Sequence, residues 1–206
     1  MESHVQEIEE FWDHASGDYD RHMEETGHYE AQARLLNLVM KYVESPVIDL
    51  AAGTGYIAEV LLKKNIIVTV NDFSGEMIGL CKKKLGSYDN ASFCQSNAET
   101  INISKKFKTV LCCNLFYYLQ DRIKAIESWK NILEKDGKII LFEEYPFQRP
   151  GTKVMLPHEL ALMKIIDPIS PQQIKTYFNS LKLLAEFQTA IDQKHHLFGF
   201  VYEVAS

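Results

Sequence analysis

The segment VIDLAAGTG, residues 47–55, constrains this chain more than any other. Val47 and Ile48 are β-branched and open a short apolar run, which predicts a buried strand over Val47–Leu50 that delivers Asp49 near its carboxyl end. Ala51, Ala52, Gly53 and Gly55 then form a turn of small residues, over which backbone can approach a ligand closely. A helix predicted over Tyr56–Leu62 follows at once, and its first turn offers N–H donors with no partner inside the helix. Asp72 lies seventeen residues beyond Gly55, at the end of a second β-branched run, Ile66–Val70. A carboxylate so placed can accept the hydroxyl hydrogens of a ribose, as in dinucleotide-binding α/β folds.

The rest of the chain continues this alternation. Ser74 is placed to cap a helix running through Leu85, and Ala91–Gln95 and Thr109–Asn114 read as further strands. Asp121 opens a helix with Ile123, Ile126 and Leu133 inward, and Lys135-Asp136-Gly137 turns the chain into a strand over Lys138–Glu143. Strands alternating with helices predict a doubly wound, mostly parallel sheet covered on both faces. The tail differs: four prolines fall between Tyr145 and Ser170, and Ser170-Pro171 reads as a helix start. Two strand-like runs, Lys182–Ala190 and His196–Val204, are joined too tightly for a parallel crossover, so they form an antiparallel pair. Ahead of the core, Val5, Ile8, Trp12 and Ala15 recur at helical spacing, with Ser3 and Gln6 spaced as a capping box. After a break at Ser16-Gly17-Asp18, a second helical pattern carries Tyr29, Leu36, Val39, Met40 and Val43 until Pro46 stops it. One domain over 1–206 is expected: a helical cover (1–45), a ligand-binding core (46–144), a substrate-side insertion and helix (145–180) and the hairpin (181–206).

Charge is uneven. Residues 1–30 hold ten acidic residues against Arg21 alone, whereas the remainder holds eighteen acidic against twenty-one basic. No basic stripe with interleaved aromatics stands out, which disfavours nucleic acid as partner. Lys82-Lys83-Lys84 reads as the solvated face of a helix. No run approaches the roughly 18 apolar residues of a membrane span, and the acidic opening is unlike a secretory leader, so a cytoplasmic protein is expected. Cys81, Cys94, Cys112 and Cys113 show no metal-ligand spacing and read as small core residues of a reducing compartment. His4, His14, His22 and His28 offer no i, i+4 pair, and His195-His196 would point to opposite faces of a strand, so no metal is expected.

Taken in order, these segments resemble the class I S-adenosylmethionine-dependent methyltransferases, in particular the small-molecule branch that includes ubiquinone and menaquinone biosynthesis enzymes. VIDLAAGTG is similar to that family's acidic-x-Gly-x-Gly-x-Gly loop, with Ala51 in place of the first glycine. VTVNDFSGEMI, SNAETI, VLCCNLFYYLQD and NILEKDGKIILFEE resemble its later signatures, and the terminal hairpin agrees with its antiparallel last strand. The resemblance implies S-adenosyl-L-methionine as cofactor and S-adenosyl-L-homocysteine as product. It assigns Asp49 and the backbone at Ala51–Gly53, with Gly55 behind them, to the methionine part, and Asp72 to the ribose. Phe73 would flank the adenine, Asn97 and the Ala98 N–H would meet its edge, and Asn114 would approach the cofactor's amino group through a carbonyl. Asn97 stands where the family often has aspartate, yet its amide oxygen still accepts from an adenine amino group. Tyr19, in Asp18-Tyr19-Asp20, resembles a segment that covers the cofactor.

Gly53-Thr54-Gly55-Tyr56-Ile57-Ala58 also fits the nicotinamide fingerprint G-x-G-x-x-A. Asp49 on the approach to the loop and the terminal hairpin favour the methyltransferase. A non-catalytic cofactor-binding protein is the other alternative, disfavoured because Asp49, Gly53, Gly55 and Asp72 are all present. Candidates for the acceptor pocket are Tyr29, Tyr117, Tyr118 and His158, and Glu143 or Glu144 could serve as a base or bind a cationic acceptor. No Ser/His/Asp set appears and no catalytic residue is assigned. The expected partner is a small-molecule methyl acceptor, on a monomer or homodimer.

Overall fold

A computed structural model of the chain describes residues 2–147 and 166–204, with side chains from Gln6 onward. Seven strands form one sheet in the order β3-β2-β1-β4-β5-β7-β6. They are β1 (Val47–Leu50), β2 (Val68–Asp72), β3 (Ala91–Gln95), β4 (Phe107–Cys113), β5 (Leu133–Tyr145), β6 (Lys182–Ala190) and β7 (His196–Glu203). β1 to β5 run parallel, while β7 lies antiparallel between β5 and β6. The predicted doubly wound sheet with an antiparallel hairpin at its end is therefore the observed one.

Alternation along the central strands sends residues to two cores. Ile48, Leu50, Val110, Cys112, Ile139 and Leu141 face α6 (Arg122–Asn131) and α7 (Pro171–Tyr177). Val47, Leu111, Ile140 and Phe142 face the other layer, made of α3 (His28–Val39), α4 (Tyr56–Leu62) and α5 (Gly75–Leu85). Helices α1 (Glu2–Ala15) and α2 (Tyr19–Glu25) lie ahead of that layer, and α1 reaches α5. This parity decides which side of the sheet each polar residue at a strand end will serve.

Several boundaries differ from expectation for local reasons. The second helical pattern is cut at Gly27, whose φ of 79° no helix accommodates, so α2 and α3 are separate. β2 begins at Val68 because Asn65 turns left-handed (φ 61°) and the Ile66 N–H still closes on Leu61 O. Ile123 is a correction: it is 63% exposed. The buried stripe of α6 is Arg122, Ala125, Ile126 and Trp129, and Ile123 sits one residue off it, facing solvent. Leu133 is buried, but as the first residue of β5. Ser170 makes the predicted helix start as a full capping box with Gln173. Among the described residues no helix is long and apolar enough to cross a membrane.

Candidate functional site

The site is built where β1, β2, β4 and β5 end. Asp49 alternates with Ile48 and Leu50, so its carboxyl faces the α3–α5 layer, where it is only 2% exposed. Its Oδ2 has no hydrogen-bond partner. Burial pushes the carboxyl up to about 8, and the neighbouring charge of Asp72 adds to the effect. Beyond it the chain turns through left-handed conformations at Ala51 (φ 52°), Gly53 (φ 57°) and Gly55 (φ 81°). Ala51 holds that conformation with a side chain, a strain of the kind that collects at functional sites. Gly55 has a second reason to be glycine: a Cβ there would meet Leu85 Cδ1 at 2.8 Å, so the residue sets how closely α4 approaches α5.

Asp72 fastens this turn to β2. Its Oδ2 accepts from Gly53 N at 2.9 Å and its Oδ1 from Ser74 N at 3.0 Å. Burial raises it to about 6, against the pull of those N–H donors. Phe73 follows it and lines two cavities that share a wall at Ala51, Phe73, Leu115 and Tyr118. The larger, about 600 Å³, takes in Gly53, Asp72 and Asn114. The smaller, about 50 Å³, takes in Asn97 and Ala98. Asn97 Oδ1 accepts from Glu99 N at 2.8 Å, and the Ala98 carbonyl accepts from Trp129 Nε1 at 2.8 Å, which fixes the turn over the smaller cavity. Asn114, left-handed at φ 52°, ends β4; its N–H bonds Phe142 O and its Oδ1 accepts from Glu144 N. The paired cavity suits an elongated, nucleoside-bearing ligand, and the Asp49 carboxyl is buried rather than among the residues that line it.

The larger cavity is roofed by α1 and α2. Tyr19 stands above Gly53, its ring 3.5 Å from where a Cβ there would lie, and packs edge-on against Trp12 (5.6 Å). Trp12 also meets Tyr118 (5.8 Å). Polar contacts fasten the roof: Asp20 accepts from Tyr29 and from Thr54 in the glycine turn, and Asp13 accepts from Ser74. Tyr117 and Tyr118 both line the cavity, whereas Tyr29 stands outside it, stacked on Tyr56 at 4.0 Å with its hydroxyl committed to Asp20 and Thr54. Tyr29 thus differs from the expected pocket-lining residue: it secures the roof. His158 lies outside the described residues. Among the described residues no group of three or more His, Cys, Asp or Glu could hold a metal.

The sequence reading missed Asp20, Thr54 and the roof residues Phe11 and Trp12. It also gave no pairing for the two glutamates ending β5. They diverge by parity. Glu143 turns toward the α6 side and accepts from Leu115 N (2.9 Å) and Phe116 N (2.7 Å), shaping the loop after β4; burial pushes it up to about 8. Glu144 faces the α3 side, lines the larger cavity and meets His28 Nε2 at 3.2 Å.

A parallel five-stranded core with an antiparallel β7 inserted next to β5, and a crevice above the carboxyl ends of β1 and β2, is the Rossmann-like fold seen in S-adenosylmethionine-dependent methyltransferases. Residues 47–137 match the family described as "Methyltransferase domain". It is 25% identical over 123 residues to the demethylmenaquinone methyltransferase of Thermotoga maritima, covering 58% of this chain and 51% of that one. It is 27% identical over 161 residues to the malonyl-[acyl-carrier protein] O-methyltransferase 2 of Ilyobacter polytropus, covering 73% and 60%. The chain thus spans about half the length of the curated relatives it matches. Among solved structures, the glycopeptide N-methyltransferase MtfA, complexed with S-adenosyl-L-methionine, superposes with a TM-score of 0.65 at 18% identity, covering 85% of this chain and 93% of that one.

Proposed function

We propose that this chain transfers the methyl group of S-adenosyl-L-methionine to a small-molecule acceptor and releases S-adenosyl-L-homocysteine. The observation that carries the reading is the convergence on one crevice of the open turn at Gly53, Asp72, Phe73 and Asn114, with the Asp49 carboxyl buried near the end of β1. Asp49 and the Ala51–Gly53 backbone would hold the methionine part, with the Asn114 carbonyl near its amino group. Asp72 would take the ribose hydroxyls. Phe73, Asn97 and Ala98 would hold the adenine in the smaller cavity, where Asn97 Oδ1 keeps a second lone pair beside its bond to Glu99 N. Tyr19 would close over the cofactor, with Gly55 setting the helix that supports the turn.

When bound, the cofactor supplies an electrophilic methyl on a sulfonium. The chain's own residues then need only align an acceptor and exclude water, so positioning supplies much of the acceleration. The domain plan fits this division: 46–144 as cofactor core, 1–45 as cover, 145–180 as the acceptor side and 181–206 as the closing hairpin. The acidic cover and the faces of Tyr117 and Tyr118 favour an acceptor of neutral or positive charge over nucleic acid. The relatives' names point to dissimilar acceptors, which is in keeping with acceptor choice lying in the cover rather than in the shared glycine turn.

Calorimetry with S-adenosylhomocysteine tests the cofactor. Asp72→Ala is expected to weaken binding by about 1.5–3 kcal/mol, the range for hydrogen bonds to a charged group. Equal affinity in wild type and variant, or preference for a nicotinamide nucleotide, would overturn the assignment. Isotope transfer from labelled cofactor into a panel of amines, phenols, thiols and carboxylic acids separates an enzyme from a non-catalytic binder. A second expectation concerns the roof, which is held by side-chain contacts at Asp13, Asp20 and Trp12 rather than by sheet pairing. Amide exchange over 2–25 should slow on binding cofactor. Equal exchange with and without it would show that the roof does not close.

A further inference from the structure

The two residues that end β2 serve different cavities. Val68 and Val70 pack into the α3–α5 layer, and Asp72 follows their parity to line the larger cavity. Asn71 has the opposite parity and lines the smaller cavity with Phe73, Asn97 and Ala98. It is completely buried, at 0% exposure. Its Nδ2 donates to the Cys94 and Ser96 carbonyls, each at 3.0 Å, with Ser96 Oγ at 2.9 Å. Carbonyl oxygens only accept, so the amide nitrogen is the atom that must face them, and this fixes the orientation of the amide. Oδ1 is left as its free end, buried and without a hydrogen-bond partner.

The rest of Asn71 frames the site. Its carbonyl accepts from Ala52 N in the glycine turn at 2.9 Å, and the Asp72 carbonyl accepts from Ser96 N at 3.1 Å. Through Nδ2 it also holds the segment that leads into Asn97 and Ala98. These bonds account for the nitrogen and leave the oxygen unexplained, and a buried acceptor without a donor is unfavourable. Asn97 supplies a second amide oxygen to the same cavity, with a lone pair left beside its bond to Glu99 N. An adenine joined to a ribose has ring nitrogens that only accept. Its strong donors are the two hydrogens of its exocyclic amino group. Two acceptors in the wall thus face a base with two donor hydrogens.

We propose that Asn71 Oδ1 accepts one hydrogen of the adenine amino group while Asn97 Oδ1 accepts the other, so that the pair selects a base with an unsubstituted amino group. The inference rests on the S-adenosylmethionine reading above and adds to it a base-reading side chain on β2. Asn71 is then a positioning residue through Nδ2 and a specificity residue through Oδ1. Guanine and hypoxanthine carry a carbonyl oxygen where adenine carries its amino group, and two amide oxygens repel it.

Calorimetry on the full chain separates the two roles, using adenosine and purine riboside, which differ only in the amino group. The wild type is expected to prefer adenosine by about 100-fold, for two hydrogen bonds at a buried edge. Asn71→Val should cut that preference to about 10-fold, because one acceptor is gone. Loss of the Nδ2 bonds alone would weaken both ligands alike, so an unchanged ratio overturns the proposal and leaves Asn71 a framing role. Adenosine methylated once on its amino nitrogen gives a check that needs no variant. It keeps one donor hydrogen and should bind the wild type about 10-fold less tightly than adenosine. A lone acceptor would be satisfied by that hydrogen, so equal affinity also overturns the proposal. Carbon-13 NMR of labelled asparagine decides the matter if Asn71→Val fails to fold. The side-chain carbonyl signal of Asn71 should move on addition of adenosine and move far less with purine riboside; equal movement overturns the assignment. Failure of the wild type to bind S-adenosylhomocysteine would sink the cofactor reading and this assignment with it. Tight binding with an unchanged ratio strikes the Asn71 assignment alone.

Discussion

Lowering the pH from 8 to 5.5 is expected to stabilise the ligand-free protein, although most proteins gain little over that range. Asp49 and Glu143 are buried carboxyls raised to about 8, far above the 3.8 and 4.5 at which such groups ordinarily titrate. Between those limits the folded chain holds protons that the unfolded chain has released. Stability therefore falls as pH rises through the window, by up to about 1.4 kcal/mol per pH unit for each group. Asp72, raised to about 6, adds to the slope only in its lower part. Asp49→Asn removes one of the two main contributions, so it should raise stability at pH 8 by about 2–4 kcal/mol and flatten the profile. Urea denaturation of wild type and variant at pH 5.5, 6.5 and 8 checks both. A wild-type stability that stays level or climbs toward pH 8 would contradict the burial argument. The same substitution should impair cofactor binding, because a cationic ligand favours the ionised carboxylate and Asn offers none. Wild-type binding near pH 7 is then expected to release a proton, seen as calorimetric heats that vary with the buffer's ionisation enthalpy.

Asp49 also shows which placements are legible in a sequence. A carboxylate between Ile48 and Leu50, followed by small residues and a helix start, has a position fixed by local chain geometry. The same holds for Asp72, Ser74 and the hairpin, whose roles follow from strand ends, a cap and a link too short for a crossover. What stayed hidden depends on distant partners. Tyr29 looked like a mouth residue until Thr54 and Asp20 took its hydroxyl. Glu143 and Glu144 are adjacent and chemically alike, and only the parity of β5 gives one to the loop after β4 and the other to His28, 116 residues earlier. Ile123 failed for the opposite reason. Its hydrophobicity was read correctly, but the helical phase was set by Trp129 and Ala125, one residue away from it.

Trp129 is where the fold and the cofactor crevice should prove inseparable. It is fully buried between α6 and the sheet, tilted against Phe116 at 6.3 Å, and its Nε1 donates to the Ala98 carbonyl at 2.8 Å. Trp129→Ala removes a large side chain that its neighbours are unable to replace, so a loss of about 3–5 kcal/mol is expected. Trp129→Phe keeps most of the packing and removes the donor, leaving a buried carbonyl unsatisfied at about 1–3 kcal/mol. The second variant is the informative one, because Ala98 is both the anchor point and a wall of the smaller cavity. With the Ala98 carbonyl released, the turn from Asn97 to Thr100 retains the Asn97 cap to Glu99 N and the Ser128 hydroxyl on Glu99 O. The turn should therefore persist but with more freedom, and an adenine held by Asn97 and the Ala98 N–H should bind less tightly. Denaturation curves give the stability loss. Calorimetry with S-adenosylhomocysteine, and separately with adenosine, gives the binding loss, which should be of similar size for both because both carry the adenine. Unchanged affinity in a folded but destabilised Trp129→Phe protein would mean that the turn over the smaller cavity is not where the adenine lies.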